Sequence, residues 1–234
     1  RFPHREDDPY SLSSDAVFSL FRDTLGRIWA GTWGGGLNRA ERDAEGRFRF
    51  IHAGNRLQNY PAERFRRIRA IVSDGRGRLW AASPDGVLVF REDSGRPEEL
   101  VFRPLCHVPG DTASLSTNNV QSLFRSSQGD IWIGTLGGGV NRATVAEEGG
   151  KDGGTGYALK KYNSLTGFPS DLIWAFEEDS AGCVWMATGH GLIRFRPDTE
   201  TWEQYRDDRL GDEDFTAGIA CRDSTGNLLF GCDE

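Results

Sequence analysis

Short apolar runs, many alternating with polar residues and rich in β-branched and aromatic side chains, recur along this chain between Gly- and Asp-containing turns. That pattern predicts strands. Five segments superimpose without a gap: Asp23-Thr-Leu-Gly-Arg-Ile-Trp29-Ala-Gly-Thr, Asp74-Gly-Arg-Gly-Arg-Leu-Trp80-Ala-Ala-Ser, Ser126-Ser-Gln-Gly-Asp-Ile-Trp132-Ile-Gly-Thr, Asp179-Ser-Ala-Gly-Cys-Val-Trp185-Met-Ala-Thr and Asp223-Ser-Thr-Gly-Asn-Leu-Leu229-Phe-Gly-Cys. The Trp-type anchors advance by 51, 52, 53 and 44 residues. Such intervals suit one four-stranded propeller blade, whose repeat is ~40–50 residues.

Within each repeat, an inner strand a is predicted to start at Val17, Ile68, Val120, Ile173 and Ala217, twelve residues before the anchor. An Asp-x-x-Gly turn follows, with Ser126 for Asp in the third copy; Gly supplies positive φ and Asp bonds its own backbone. Strand b carries the Trp. Gly-rich turns then lead to strand c at Leu37, Leu88, Val140 and Ile193. Strand d is read at Phe48 to Phe50, Val101-Phe102, Leu159 to Tyr162 and Trp202 to Tyr205.

A longer period overlies this one. Gly31-Thr-Trp-Gly-Gly-Gly-Leu-Asn-Arg-Ala40 returns as Gly134-Thr-Leu-Gly-Gly-Gly-Val-Asn-Arg-Ala143, and Ser11-Leu-Ser-Ser-Asp-Ala-Val17 as Ser114-Leu-Ser-Thr-Asn-Asn-Val120, both 103 residues on. The same offset aligns Phe2-Pro-His4 with Leu105-Cys-His107. The expected fold is all-β, a β-propeller of four-stranded antiparallel blades: four complete blades, about 16–52, 67–105, 119–163 and 172–206, plus a partial fifth at 216–232. A chain opening at Arg1 and stopping after strand b reads as a fragment of a larger ring.

These residues resemble the two-component regulator propeller repeat, whose consensus runs roughly V-x-x-(L/I)-x-x-D-x-x-G-x-(L/I)-W-x-G-T-x-x-G-G-(L/V). The Trp29 and Trp132 copies follow it nearly throughout; the Trp80 and Trp185 copies place Ala82 and Ala187 where it has Gly, and the fifth has Leu229 for Trp. The connection Tyr162-Asn-Ser-Leu-Thr-Gly-Phe-Pro-Ser-Asp-Leu-Ile173 is also similar to the family's link between blades. The resemblance implies an extracytoplasmic, periplasmic sensor module of a bacterial receptor, commonly one of two seven-bladed rings. An immunoglobulin-like domain, a transmembrane helix and a kinase or diguanylate cyclase output would follow. It implies partners among the receptor's other domains, a homodimer as one option, and in some members an oligosaccharide ligand.

Composition narrows the alternatives. A net charge of −7 argues against a dedicated nucleic-acid binder, which needs a basic face. No apolar stretch approaches the ~20 residues of a membrane-spanning helix. Cys106, Cys183, Cys221 and Cys232 lack zinc spacing and read as small buried apolar residues; Cys221 and Cys232 share a hairpin about two residues out of register for a bridge. His4, His52, His107 and His190 are scattered, and no phosphate loop or nucleophile elbow occurs. The acidic run Asp207, Asp208, Asp212, Glu213 and Asp214 lacks EF-hand spacing and reads as a solvated loop. No catalytic residue, metal or cofactor is expected.

The four Trp anchors share one strand position, as packing between blades requires. Trp33, in a b–c turn, does not. In a propeller the b–c turns and the d–a connections emerge on one face, where a rigid scaffold presents binding loops. Asp15, Arg67, Asn118, Asn119 and Asp171 before strand a, with Trp33, Asp85 and His190 in the turns, are the candidate ligand residues, though Asp15, Asn118 and Asp171 also suit turn fixing. Their mixture suits a hydroxyl-rich, uncharged or weakly charged small molecule or oligosaccharide. A propeller lyase or hydrolase acting on polysaccharide fragments, and a scaffold or dimerisation module, are the alternatives.

Overall fold

The computed structural model describes residues 1–91, 95–145, 156–206 and 215–232, and the acidic run 207–214 lies outside them. The chain divides into two compact units, Arg1–Leu105 and Cys106–Glu234. The first holds two antiparallel sheets in simple meander order, β1 (Val17–Arg22), β2 (Ile28–Thr32), β3 (Gly36–Arg42), β4 (Phe48–Ile51), then β5 (Ala70–Ser73), β6 (Arg78–Ser83), β7 (Gly86–Arg91), β8 (Arg103–Leu105). The second repeats the plan with β9 (Val120–Arg125), β10 (Ile131–Thr135), β11 (Val140–Val145), β12 (Tyr157–Tyr162), and with β13 (Ile173–Glu178), β14 (Val184–Thr188), β15 (Gly191–Arg196), β16 (Thr201–Tyr205). A final hairpin pairs β17 (Phe215–Arg222) with β18 (Leu228–Cys232). Inner strands neighbour one another within a unit, β1 with β5, β9 with β13 and β13 with β17.

Stacked sheets bury the faces they share. Trp29, Trp80 and Trp132 are completely buried. The Trp29 ring lies 5.2 Å from Phe90 of the next sheet, and Trp132 lies 5.2 Å from Phe195 of the next. Trp185 is only half-buried, stacked on Tyr205 of its own sheet, and Leu229 is 52% exposed. The expectation of anchors between sheets therefore holds for Trp29 and Trp132, and Trp80 is buried as well. Among the described residues no later four-stranded sheet stands over the last two.

The repeated turn works by a shared bonding scheme. Asp23 accepts the Leu25 and Arg27 backbone N–H groups, and its other oxygen takes Arg27 Nε (2.6 Å) and the Trp29 indole N–H (2.9 Å). Asp74 and Asp179 treat Trp80 (3.5 Å) and Trp185 (2.9 Å) in the same way. Burial opposes ionisation of Asp179, yet donors from Trp185, Cys183, Ala181 and Arg194 hold its carboxyl below the usual range. Hydrogen bonds from Asn227 and Thr225 push Asp223 down to about 2.

The third copy breaks the scheme. With Ser126 in the acid's place, the buried Trp132 indole N–H has no acceptor, and the carboxylate has moved to Asp130, which pairs with Arg142 at 2.5 Å. An orphaned buried donor costs about 1–3 kcal/mol. Ser126→Asp with Asp130→Asn would restore an acceptor for Trp132, keep a partner for Arg142 and copy the Asp223/Asn227 pair. This double variant is expected to raise unfolding free energy by about 1–2 kcal/mol in urea titrations; an unchanged midpoint would count against the bonding scheme.

Three expectations need correction. Strand β5 starts at Ala70 rather than Ile68, because Ile68 N–H donates to Thr32 O (3.0 Å) and Arg67 bridges Trp33, so both residues are committed to the neighbouring sheet. Strand β8 is Arg103–Leu105, not Val101-Phe102: Phe102 turns inward against Phe90 (5.0 Å) and Tyr60 (5.2 Å), and pairing begins after it. Pro104 is tolerated because β8 is an edge strand. Of the cysteines only Cys183 is buried; Cys106 is half-buried, and Cys221 and Cys232 are exposed on the final hairpin. Cys221 faces Leu229 and Cys232 faces Phe215, so the two are not cross-strand partners.

Candidate functional site

In the first unit the β2–β3 turn packs its backbone so closely that one large side chain is left to project. Thr32 Oγ1 donates to Gly36 O (2.9 Å), and Gly36 (φ +73°) leaves no room for a Cβ against the Tyr60 ring. Trp33 N–H donates to Ala16 O (2.8 Å), and Ser14 Oγ donates to Trp33 O (2.9 Å). The connection into β5 locks the other side. Arg66 O accepts from both Gly34 (2.8 Å) and Gly36 (2.9 Å), Arg66 Nε donates to Gly34 O (3.0 Å), and Trp33 forms an isolated antiparallel bridge with Arg67.

Strand β1 supplies a second ring. Val17 faces Thr32 and Ser19 faces Gly31, so Phe18 is the extra residue of a β-bulge. Bulges re-aim side chains and recur beside binding sites. Phe18 stacks on Trp33 with centroids 5.0 Å apart and planes at 30°. The Arg67 guanidinium lies 5.1 Å from the Trp33 centroid. Phe18 is 59% exposed and Trp33 39% exposed. Beside them opens a hollow of about 200 Å³ lined by Gly34, Gly35, Tyr60, Ala62 and Arg66. Burial pushes the Tyr60 phenol well above its ordinary range, and its hydroxyl donates to Phe65 O (2.5 Å). Burial, then the neighbouring Arg67 charge, lowers the Arg69 guanidinium.

The second unit contains the same backbone arrangement with different side chains. Leu136 N–H donates to Asn119 O (2.9 Å), Asp171 O accepts from Gly137 (2.9 Å) and Gly139 (3.0 Å), and Leu136 bridges Leu172. The bulge residue there is Gln121. Leu136, Asp171, Leu172 and Gln121 thus stand where the first unit has Trp33, Arg66, Arg67 and Phe18. The turn folds without an indole or a guanidinium.

The structure brings Trp33 and Arg67 into contact, and it employs most other candidates locally. Asp15 accepts His4 N–H (2.7 Å) and Asn118 accepts His107 N–H (2.6 Å), while each imidazole Nδ1 meets a carbonyl, Leu12 O (2.6 Å) and Leu115 O (2.7 Å). This parallel supports the 103-residue offset at the chain's start. Asp171 takes the Ser164 N–H (2.8 Å) and hydroxyl (2.6 Å). Asp85 N–H donates to Ser83 Oγ (2.9 Å), and its carbonyl accepts from Arg64 (3.3 Å). Asn119 contributes its carbonyl to Leu136. His190 is exposed, with Nδ1 3.3 Å from Ser170 Oγ and its carbonyl taken by Gln204 (2.7 Å). Phe18 and Arg66 were not among the candidates. The sequence signals for them are the paired apolar Val17-Phe18 and four arginines within Arg64 to Arg69. Among the described residues no group of three or more His, Cys, Asp or Glu could hold a metal ion.

Comparison with known proteins agrees with the repeat. The family Two component regulator propeller matches residues 11–34, 114–137 and 167–190. No curated protein matches the chain. Among solved structures, the extracellular domain of BT4673, described as a hybrid two component system of B. thetaiotaomicron, is 24% identical with a TM-score of 0.70, over 93% of this chain and 28% of that one. The corresponding domain of BT3049 from the same organism is 22% identical with a TM-score of 0.64, over 95% and 33%. Virginiamycin B lyase from Staphylococcus aureus, at 10% identity and a TM-score of 0.60 over 92% and 63%, shares the fold alone. The chain spans about a third of the length of the two receptor domains. Among the described residues no helix is long and apolar enough to cross a membrane. Three in-phase matches show that the chain carries two component regulator propeller repeats at those residues.

Proposed function

We propose that this chain is part of an extracytoplasmic sensor module and that it binds a small hydroxylated ligand, a sugar or short oligosaccharide, at the Phe18–Trp33–Arg67 face of its first unit. The observation that carries this reading is the stack itself. Two aromatic rings are held at a rigid turn and left open to solvent, although the equivalent turn folds with Leu136 and Gln121 instead. Exposed aromatic surface that folding does not need points to a ligand. Aromatic faces suit the C–H faces of sugar rings, and the adjoining hollow of about 200 Å³ has room for a small ring. The likeness to extracellular domains of two component systems supports placing such a module outside the cytoplasm. Signalling then runs from ligand occupancy at this face to an output carried elsewhere in the receptor.

The test is calorimetric titration of the chain with a panel of neutral and acidic oligosaccharides, after a thermal-shift screen. Trp33→Leu imports the residue found at the equivalent turn, so the variant is expected to fold. It should weaken binding by about tenfold or more, equivalent to ~1.4 kcal/mol. Binding that is unchanged in Trp33→Leu would place the ligand elsewhere.

A further inference from the structure

We infer that the Phe18–Trp33–Arg67 face selects a ligand carrying an anionic group, a carboxylate or sulfate on a hydroxylated ring, with Arg67 as its receptor and Arg66 as a second positive charge. This inference rests on the binding face proposed above and narrows its ligand class from sugars in general to acidic ones.

The Arg67 guanidinium lies over the Trp33 ring, 5.1 Å from its centroid. A guanidinium over an aromatic ring can still offer its N–H fork, and that fork matches a carboxylate or sulfate bidentately. Arg67 is exposed, and no ion pair joins either Arg66 or Arg67 to a carboxylate among the described residues. Several arginines elsewhere are ion-paired: Arg27 with Asp23, Arg78 with Asp74, Arg142 with Asp130, Arg194 with Asp179 and Arg56 with Glu98. In a chain of net charge −7, Arg66 and Arg67 place two adjacent positive charges beside the stack. Arg66 stands in the wall of the hollow next to the stack, so a ring seated there meets charge on two sides.

The second unit provides the contrast. The same backbone positions carry Asp171 and Leu172, one of opposite charge and one apolar, and the turn forms the same hydrogen bonds. The bridge, the glycine turn and the bonds to the preceding connection therefore do not require either cation. Arg67 is a specificity residue of the site rather than a support for the turn.

The experiment titrates the chain with matched saccharides: galactotriose, its 6-carboxylated counterpart trigalacturonic acid and a 6-O-sulfated galactotriose, alongside equivalent neutral and acidic members of the panel. Wild-type protein should bind an acidic member at least about tenfold more tightly than its neutral counterpart, the ratio expected of one charge-assisted bidentate pair. The carboxylate and sulfate arms identify which anion is taken. Arg67→Leu should abolish the ratio while leaving the unfolding midpoint unchanged, and Arg66→Gln should reduce it. The preference should also shrink as salt is raised. Neutral saccharides binding as tightly as acidic ones, with Trp33→Leu still weakening both, would overturn the charge selectivity and leave the proposed face standing. Failure of every saccharide to bind would overturn both.

Discussion

Replacing Trp29 with alanine is expected to lower the unfolding free energy of the first unit by about 3–5 kcal/mol, the range for deleting a large aromatic side chain from a packed core. The indole is completely buried. It touches Phe90 of the adjacent sheet at 5.2 Å, and the Arg39 guanidinium sits over it at 5.8 Å. Truncation also strips Asp23 of one donor to its buried carboxylate, whose other partners include Arg27 and two backbone N–H groups. Urea unfolding followed by circular dichroism measures the loss. Leu229→Ala is the internal comparison, because that anchor is 52% exposed, and its cost should stay below about 1 kcal/mol. Equal effects at the two positions would show that burial between sheets is not what the anchor contributes.

Gly139→Ala should cost more than about 3 kcal/mol, whereas Gly137→Ala, two residues away in the same turn, should cost about 1 kcal/mol. Both glycines have positive φ, +71° and +95°, so alanine is strained at either. The surroundings separate them. A Cβ on Gly139 would overlap the Tyr162 carbonyl oxygen and lie 3.0 Å from Asn163 Cα, backbone that cannot rotate aside. A Cβ on Gly137 meets nothing within 4 Å. Moving Gly139 to relieve the overlap would disturb its bond to Asp171 O and the bonds Thr135 makes to its carbonyl. Thermal unfolding of the two variants side by side gives the answer, and similar midpoints would contradict the steric account.

The proposed binding face is built differently from these core elements. The stability of the turn resides in glycines, backbone hydrogen bonds and the buried Tyr60, while the side chains of Trp33, Phe18 and Arg67 lie outside that network. Recognition can therefore change between repeats without refolding them. The comparison of Trp33, Arg66 and Arg67 with Leu136, Asp171 and Leu172 is an instance of such change within one chain.

Much of the architecture is legible from residue order because the information is local and repeated. An Asp-x-x-Gly turn followed by a Trp strand states its own geometry through bonds spanning six residues or fewer, and five copies in phase leave no freedom in the strand register. The face carrying the b–c turns followed from the same logic, and so did Trp33 and Arg67 as residues to watch. Other features depend on groups distant in sequence. Ile68 leaves its own strand because Thr32, 36 residues earlier, offers it a carbonyl, and Phe102 turns inward because Phe90 and Tyr60 leave a place for it. Phe18 reaches Trp33 only because a bulge releases it from pairing, and the placement of Arg67 over the Trp33 ring emerges only after packing. Local hydrogen bonds write the blade into the sequence; which side chains meet across its turns is decided by how neighbouring sheets stack, a property no single repeat contains.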